Sequence, residues 1–211
     1  IKYDRNFAQE KISRESLFYK QSDLILTAGS TRETEETVLI DVFAELKNKF
    51  TNLKLIIAPR HISRIKEICN ILKQKKFKFS LFSELKNEVE DILIIDIFGK
   101  LQTIYSISDI VFIGGSIAKN GGQNPIEPSA YSKPVVFGKY MYNFENESML
   151  LKNNLGAFEI SDEIELQYIF NKLLSDESYR IQTGKKALEI VQKQKGAIEE
   201  NIKIIKRFLN E

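Results

Sequence analysis

Cysteine and histidine are nearly absent: the 211 residues hold one of each, Cys69 and His61. A lone cysteine excludes a disulfide framework and any cysteine-built metal cage, and a lone histidine excludes a multi-histidine zinc site. Charge of one sign is also lacking. Lys and Arg total 31 against 29 Asp and Glu, a formal net charge of +2. That balance argues against a nucleic-acid protein working through bulk positive charge, because phosphate neutralisation needs a concentrated basic surface. No apolar run reaches the ~18–20 residues that span a bilayer. The opening Ile1-Lys2-Tyr3-Asp4-Arg5 is too mixed and charged for a signal peptide. A soluble, cytoplasmic-type domain is expected. The chain begins without Met, in the middle of a mixed segment, and so reads as a piece of a longer protein. What is present suits a globular fold: 43% hydrophobic and 28% charged residues can build one ordinary core.

The apolar residues alternate between two periods. Asp23–Ala28, Leu53–Ala58, 78–82, 91–95, 109–113 and 134–137 read as six short strands, most of them continuous apolar runs of the kind buried in parallel sheets. Helical stripes lie between them, as in Val38, Leu39, Val42, Phe43 and Leu46, or Ile62, Ile65, Cys69 and Leu72. On that stripe Cys69 is expected to be buried and inert. From about Ile164 the chain reads as helical nearly to its end, with Ile198, Ile202, Ile205 and Leu209 on one face. Alternating strands and helices predict an α/β fold, a parallel sheet with helices on both faces. Ligands of such sheets sit beyond the carboxyl ends of the strands. Six of the ten glycines and three of the four prolines fall in or just beyond the last three of those strand-end segments.

Three of the strand-end segments carry candidate chemistry. Gly29 to Glu36 either holds an anion at a helix start or forms a capping box from Ser30 to Glu33. Its three acidic residues, and the lack of GxxxxGK[ST] or GxGxxG, argue against P-loop and nicotinamide dinucleotide chemistry. Pro59-Arg60-His61 places an arginine at the sheet edge in a chain with only 7 arginines against 24 lysines. Its planar fork suits a phosphate, or else it pairs with Glu67; His61 by itself reads as structural. Gly114-Gly115-Ser116 followed by Gly121-Gly122-Gln123-Asn124-Pro125-Ile126-Glu127 is the strongest signal. Paired glycines admit a ligand close to the backbone, Asn124 and Pro125 suit a helix start, and Glu127 can accept two vicinal sugar hydroxyls.

Gly29 to Glu36, Pro59-Arg60-His61, Asp96-Ile97-Phe98-Gly99 and the Gly114–Glu127 motif, in that order, resemble the C-terminal half of 3-deoxy-D-manno-octulosonic acid (Kdo) transferases. The resemblance runs over the whole chain and implies a Rossmann-like domain, the C-terminal half of a GT-B glycosyltransferase. Residues 1–22 would then be a linker from an N-terminal domain and 23–211 the nucleotide-sugar-binding domain. The family moves Kdo from a CMP-Kdo donor to a lipid A precursor, at the cytoplasmic face of the bacterial inner membrane. By resemblance, Arg60 would neutralise the donor phosphate, with Pro59 and His61 lining the nucleotide pocket. The backbone of Phe98 and Gly99 would read the cytosine edge. Gly114, Gly115 and Ser116 would admit the donor, Asn124 and Glu127 would fix phosphate and ribose, and Ser30 and Thr31 would face the cleft. The sequence departs from the family at Arg32, Thr34 and Lys100. Nothing visible in the sequence requires a metal or a cofactor, the charge balance argues against a nucleic-acid partner, and the resemblance puts the catalytic base, the acceptor and any membrane contact on the N-terminal half. A nucleotide-sugar epimerase of the same architecture and a non-catalytic nucleotide-binding domain are the alternatives.

Overall fold

A computed structural model describes the backbone of residues 12–209 and the side chains of residues 12–195. The expected burial of Ile198, Ile202, Ile205 and Leu209 lies outside the described side chains, and the first half of the expected linker lies outside the described residues.

The elements in chain order are β1 (Leu24–Thr31), α1 (Glu35–Lys49), β2 (Leu53–Pro59), α2 (Ile65–Gln74), β3 (Phe79–Leu81), β4 (Ile92–Ile94), α3 (Leu101–Ile107), β5 (Ile110–Ile113), α4 (Ile126–Ser129), β6 (Val135–Gly138), α5 (Glu145–Asn153), β7 (Ala157–Ile160), α6 (Glu163–Ser175) and α7 (Glu177–Leu209). The strands form one sheet in the order β3-β4-β2-β1-β5-β6-β7, and every pairing is parallel. The expected α/β fold is therefore present, with seven strands where the sequence pattern predicts six. The missed strand, β7, has only Ala157 and Ile160 buried and carries Glu159. As the last strand of the sheet it needs no continuous apolar run, which is the signal that marked the others.

Alternate residues of each strand face opposite sides, and both sides are covered. Leu26, Leu55, Ile57, Phe112 and Val136 pack under α1, α2 and α6 through Leu39, Phe43, Leu72 and Phe170. On the other side Val111, Ile113, Val135 and Phe137 meet Tyr105 of α3, Ile126 of α4, Leu151 of α5 and Ala187 and Ile190 of α7. In α2 the buried residues are Ile68 and Leu72, while Cys69 is half-buried beside them. Cys69 is thus not the buried residue the stripe predicts, since it also borders a surface concavity with Lys73 and Phe79; its partial burial still pushes the thiol up from its ordinary pKa.

The described part of the expected linker is docked. Leu17 and Tyr19 are buried against Ile25, Ile56 and Leu93. Arg14 donates to the carbonyls of Ile107 and Asp23 and to Asp109 Oδ2 at 2.8 Å, and Asp109 Oδ2 also accepts from Ile25 N at 2.7 Å. Residues 12–22 thus belong to the folded unit. No helix among the described residues is long and apolar enough to cross a membrane.

Candidate functional site

Strand order reverses at β1: the chain passes from β1 to β2, β4 and β3 on one side, and to β5, β6 and β7 on the other. The carboxyl ends of β1 and β5 therefore flank the switch point where ligands of such sheets bind. Sequence places the segments 29–34 and 114–117 at that point, with the 59–64 segment after β2 alongside.

Strand β1 runs on to Thr31 rather than stopping at Ala28, through an irregularity at Ser30, whose φ is 58°. Thr31 is consequently buried, and its hydroxyl donates to Glu36 Oε1 at 3.2 Å. Its side chain does not face the cleft as the resemblance implies; Ser30 remains partly exposed. The capping box from Ser30 to Glu33 does not form either. Thr34, at φ 74°, precedes helix α1 without a side-chain cap, and it is Glu35 that reaches back to Arg32 N at 2.9 Å.

Glu35 is fully buried and accepts three more backbone N–H groups, from Gly115 at 2.7 Å, Ser116 at 2.9 Å and Ile117 at 3.0 Å. Each carboxylate oxygen takes two of the four donors. A run of backbone N–H groups after a strand is an anion hole, and here the protein fills it with its own carboxylate. The rest of the loop is tied in turn: Gly138 N donates to Ser116 Oγ at 2.8 Å, Tyr140 N to Ser116 O at 3.0 Å, and Gly122 N to Gly115 O at 2.8 Å. Gly114 leaves no room for a side chain, since a Cβ there would lie 2.3 Å from Ser30 O. Its smallness serves the packing of β5 against β1.

A concavity of about 370 Å³ opens beside these loops, lined by Arg32, Glu33, Thr34, His61, Arg64, Ala118 and Asn120. Gly115 borders it, because a Cβ at Gly115 would lie 3.6–3.7 Å from Asn120 Cβ and Arg32 Cγ. Arg32 Nη1 lies 2.7 Å from His61 Nε2. A guanidinium only donates, so Nε2 is the acceptor in this contact. Arg64 is the arginine that pairs with Glu67, at 3.1 Å, and also with Glu36 at 3.2 Å and Glu33 at 3.8 Å. Burial raises the pKa of the Glu36 carboxyl even though Arg64 and Thr31 hydrogen-bond to it. Arg60 is exposed; its N–H donates to Thr31 O at 3.0 Å, and its guanidinium makes no hydrogen bond or ion pair among the described residues.

Asn124 behaves as the sequence predicts for a helix start: its Oδ1 accepts from Ile126 N at 3.0 Å, just after Pro125. Its Nδ2 donates to Glu127 Oε1 at 3.4 Å. Glu127 lies near Tyr105 and Tyr131 and helps raise the pKa of both phenols, for which burial is the larger cause. Arg60, Gly115, Asn124 and Glu127 are expected to meet in one concavity, but Arg60, Asn124 and Glu127 do not line the one that holds His61. Phe98 is 76% exposed, and Gly99, with φ 84°, has open space around it, so the backbone of that loop is accessible. Sequence reasoning missed Arg32, Glu35 and Arg64 as site-building residues. Only the acidic run after Gly29 hinted at them, and it read as helix-dipole complement.

No protein-family model matches the chain. It is 34% identical over 215 residues to a 3-deoxy-D-manno-octulosonic acid transferase of Haemophilus influenzae, across 99% of this chain and 50% of the relative. The chain is homologous to half of a Kdo transferase. A bifunctional glycosyltransferase/methyltransferase of Fusobacterium nucleatum is 37% identical over 191 residues, 85% of this chain and 29% of the relative. Among solved structures, the C-terminal CMP-Kdo binding domain of WaaA from Acinetobacter baumannii superposes with a TM-score of 0.76 at 23% identity, covering 82% of this chain and 91% of that domain. That likeness establishes the shared Rossmann-like glycosyltransferase fold. The chain spans about half the length of the Haemophilus Kdo transferase.

Proposed function

We propose that this chain is the donor-binding half of a Kdo transferase, holding CMP-Kdo while Kdo passes to a lipid A precursor at the cytoplasmic face of the inner membrane. The observation that carries the reading is Arg60: an exposed guanidinium without a partner among the described residues, at the carboxyl edge of a sheet whose nearest anion hole Glu35 already fills. With those amides engaged, the donor phosphate falls to a side-chain cation, and Arg60 offers a bidentate fork. Pro59 and His61 flank it. The accessible backbone at Phe98 and Gly99 can meet a base edge, and Asn124 and Glu127 can hold the phosphate and the ribose hydroxyls. Gly114, Gly115 and Ser116 keep the floor of the site low, and Ser30 stands at its rim. The base that deprotonates the acceptor belongs to the other half, so this chain alone binds donor without transferring sugar.

Titration calorimetry with cytidine and uridine monophosphates tests the reading. CMP binds more tightly than UMP, and Arg60→Ala weakens CMP by roughly 1.5–3 kcal/mol, about one to two orders of magnitude. Glu127→Gln loses more affinity for the ribonucleotide than for its 2′-deoxy analogue. Equal binding of both bases, no effect of Arg60→Ala, or transfer by this chain alone would each reject it.

A further inference from the structure

The cations around the concavity differ in what they already touch. Arg64 answers Glu33, Glu36 and Glu67. Arg32 meets no carboxylate among the described residues: its Nη1 is held by His61, and its Nε is closed off from solvent with no hydrogen-bond partner. A donor enclosed without an acceptor keeps its desolvation cost uncompensated, so this fork gains from turning toward an anion. Glu33, the acidic residue on the wall, stands 3.8 Å from Arg64 and its side chain is 76% exposed. Arg32 and Arg60 sit on adjacent loops, joined by the hydrogen bond from Arg60 N to Thr31 O. Two guanidiniums with unused donors therefore stand on adjacent loops, Arg32 on the wall of the concavity and Arg60 outside its lining, and the neighbouring backbone amides are closed to a ligand by Glu35.

We propose that Arg32, where the chain departs from the family, takes the carboxylate of the donor's ulosonic acid while Arg60 takes the phosphate. The proposal rests on the donor-site reading above. A nucleoside monophosphate ester of a sugar acid carries two separated anions, which matches two separate forks. With Nη1 on His61 and Nε enclosed, the fork receives a carboxylate side-on through its Nε–Nη2 edge only by turning outward and giving up the His61 contact. The fork turns outward as the carboxylate arrives.

Calorimetric titration of the wild-type chain, Arg32→Gln and Arg60→Ala with CMP and with freshly prepared CMP-Kdo tests this. Arg32→Gln should weaken CMP-Kdo by roughly tenfold or more and leave CMP within about twofold, whereas Arg60→Ala weakens both. Equal losses for the two ligands in Arg32→Gln, or no loss for either, overturn the carboxylate role and leave the nucleotide reading standing. A wild-type chain that binds neither ligand overturns the nucleotide reading instead. Free Kdo then decides the carboxylate role through the single histidine. Movement of the His61 ring resonances in the wild type but not in Arg32→Gln supports it, and no movement in the wild type overturns it.

Discussion

Glu35 shows how much one side chain decides. It reads in the sequence as one acid of three near a helix start, favourable to the dipole and nothing more. In the fold it is the hub that fastens the 114–117 loop, accepting N–H groups from residues 80 to 82 positions away. Glu35→Gln keeps the shape but turns an NH2 group toward donors. It should cost roughly 3 kcal/mol by urea unfolding and speed amide exchange at Gly115, Ser116 and Ile117 while Leu55 and Ile56 stay protected. Asp91 makes a pH prediction. Its burial favours the neutral form, but hydrogen bonds and charges from Lys54 at 2.6 Å and Lys47 at 2.9 Å prevail and hold the carboxyl below its ordinary value. A carboxyl with a lowered folded pKa adds stability above the unfolded value, and that stability is lost as pH falls through the folded one. Asp91→Asn should therefore flatten the acid limb of a plot of urea midpoint against pH and leave the slope near neutrality unchanged. Arg60 and Arg64 mark the limit of local reading: both follow β2, and only the fold shows that Arg64 takes the carboxylates.

Among the elements, the buried strands were legible because a short apolar run between turn residues has few other uses, and apart from β1 those expected begin and end within a residue of the pattern. Strand β1 overran its expected end because pairing with Pro59 of β2 continues past the irregularity at Ser30. Strand β7 escaped notice because an outermost strand can carry Phe158 and Glu159 half in solvent. Helix α7 closes the side of the sheet built by β5, β6 and β7, and it does so through a contact that sequence reasoning passed over. Gly184 lies against the turn after α4, where a Cβ would come within 2.0 Å of Ser132 O. Gly184→Ala should destabilise the protein by roughly 1–3 kcal/mol through overpacking, visible as a lower thermal midpoint. An Ala midpoint equal to that of the wild type would mean that the helix shifts freely on the sheet.

For the molecule as a whole, the segment entering β1 is part of the fold. Arg14 reaches residues 107 and 109 and is only 16% exposed in its side chain. Arg14→Ala should lower unfolding stability by roughly 3 kcal/mol, because Asp109 loses its ionic partner in a part-buried setting. A surface-like loss under about 0.5 kcal/mol would mean that the segment is only draped over the sheet. The sequence by itself determined the class of fold, the order of the first six strands, and which loops stand at the carboxyl edge. Hydrophobic period, turn residues and helix starts are local, and a reader needs only neighbouring residues to see them. The tertiary structure alone decided which donors at that edge remain for a ligand. The amides of Gly115, Ser116 and Ile117 are taken by a carboxylate from another loop, Arg64 by Glu33, Glu36 and Glu67, and Arg32 by a histidine 29 residues away. Hydrogen-bonding capacity is exhausted by partners brought together through folding, and no spacing along the chain records which partner arrives first.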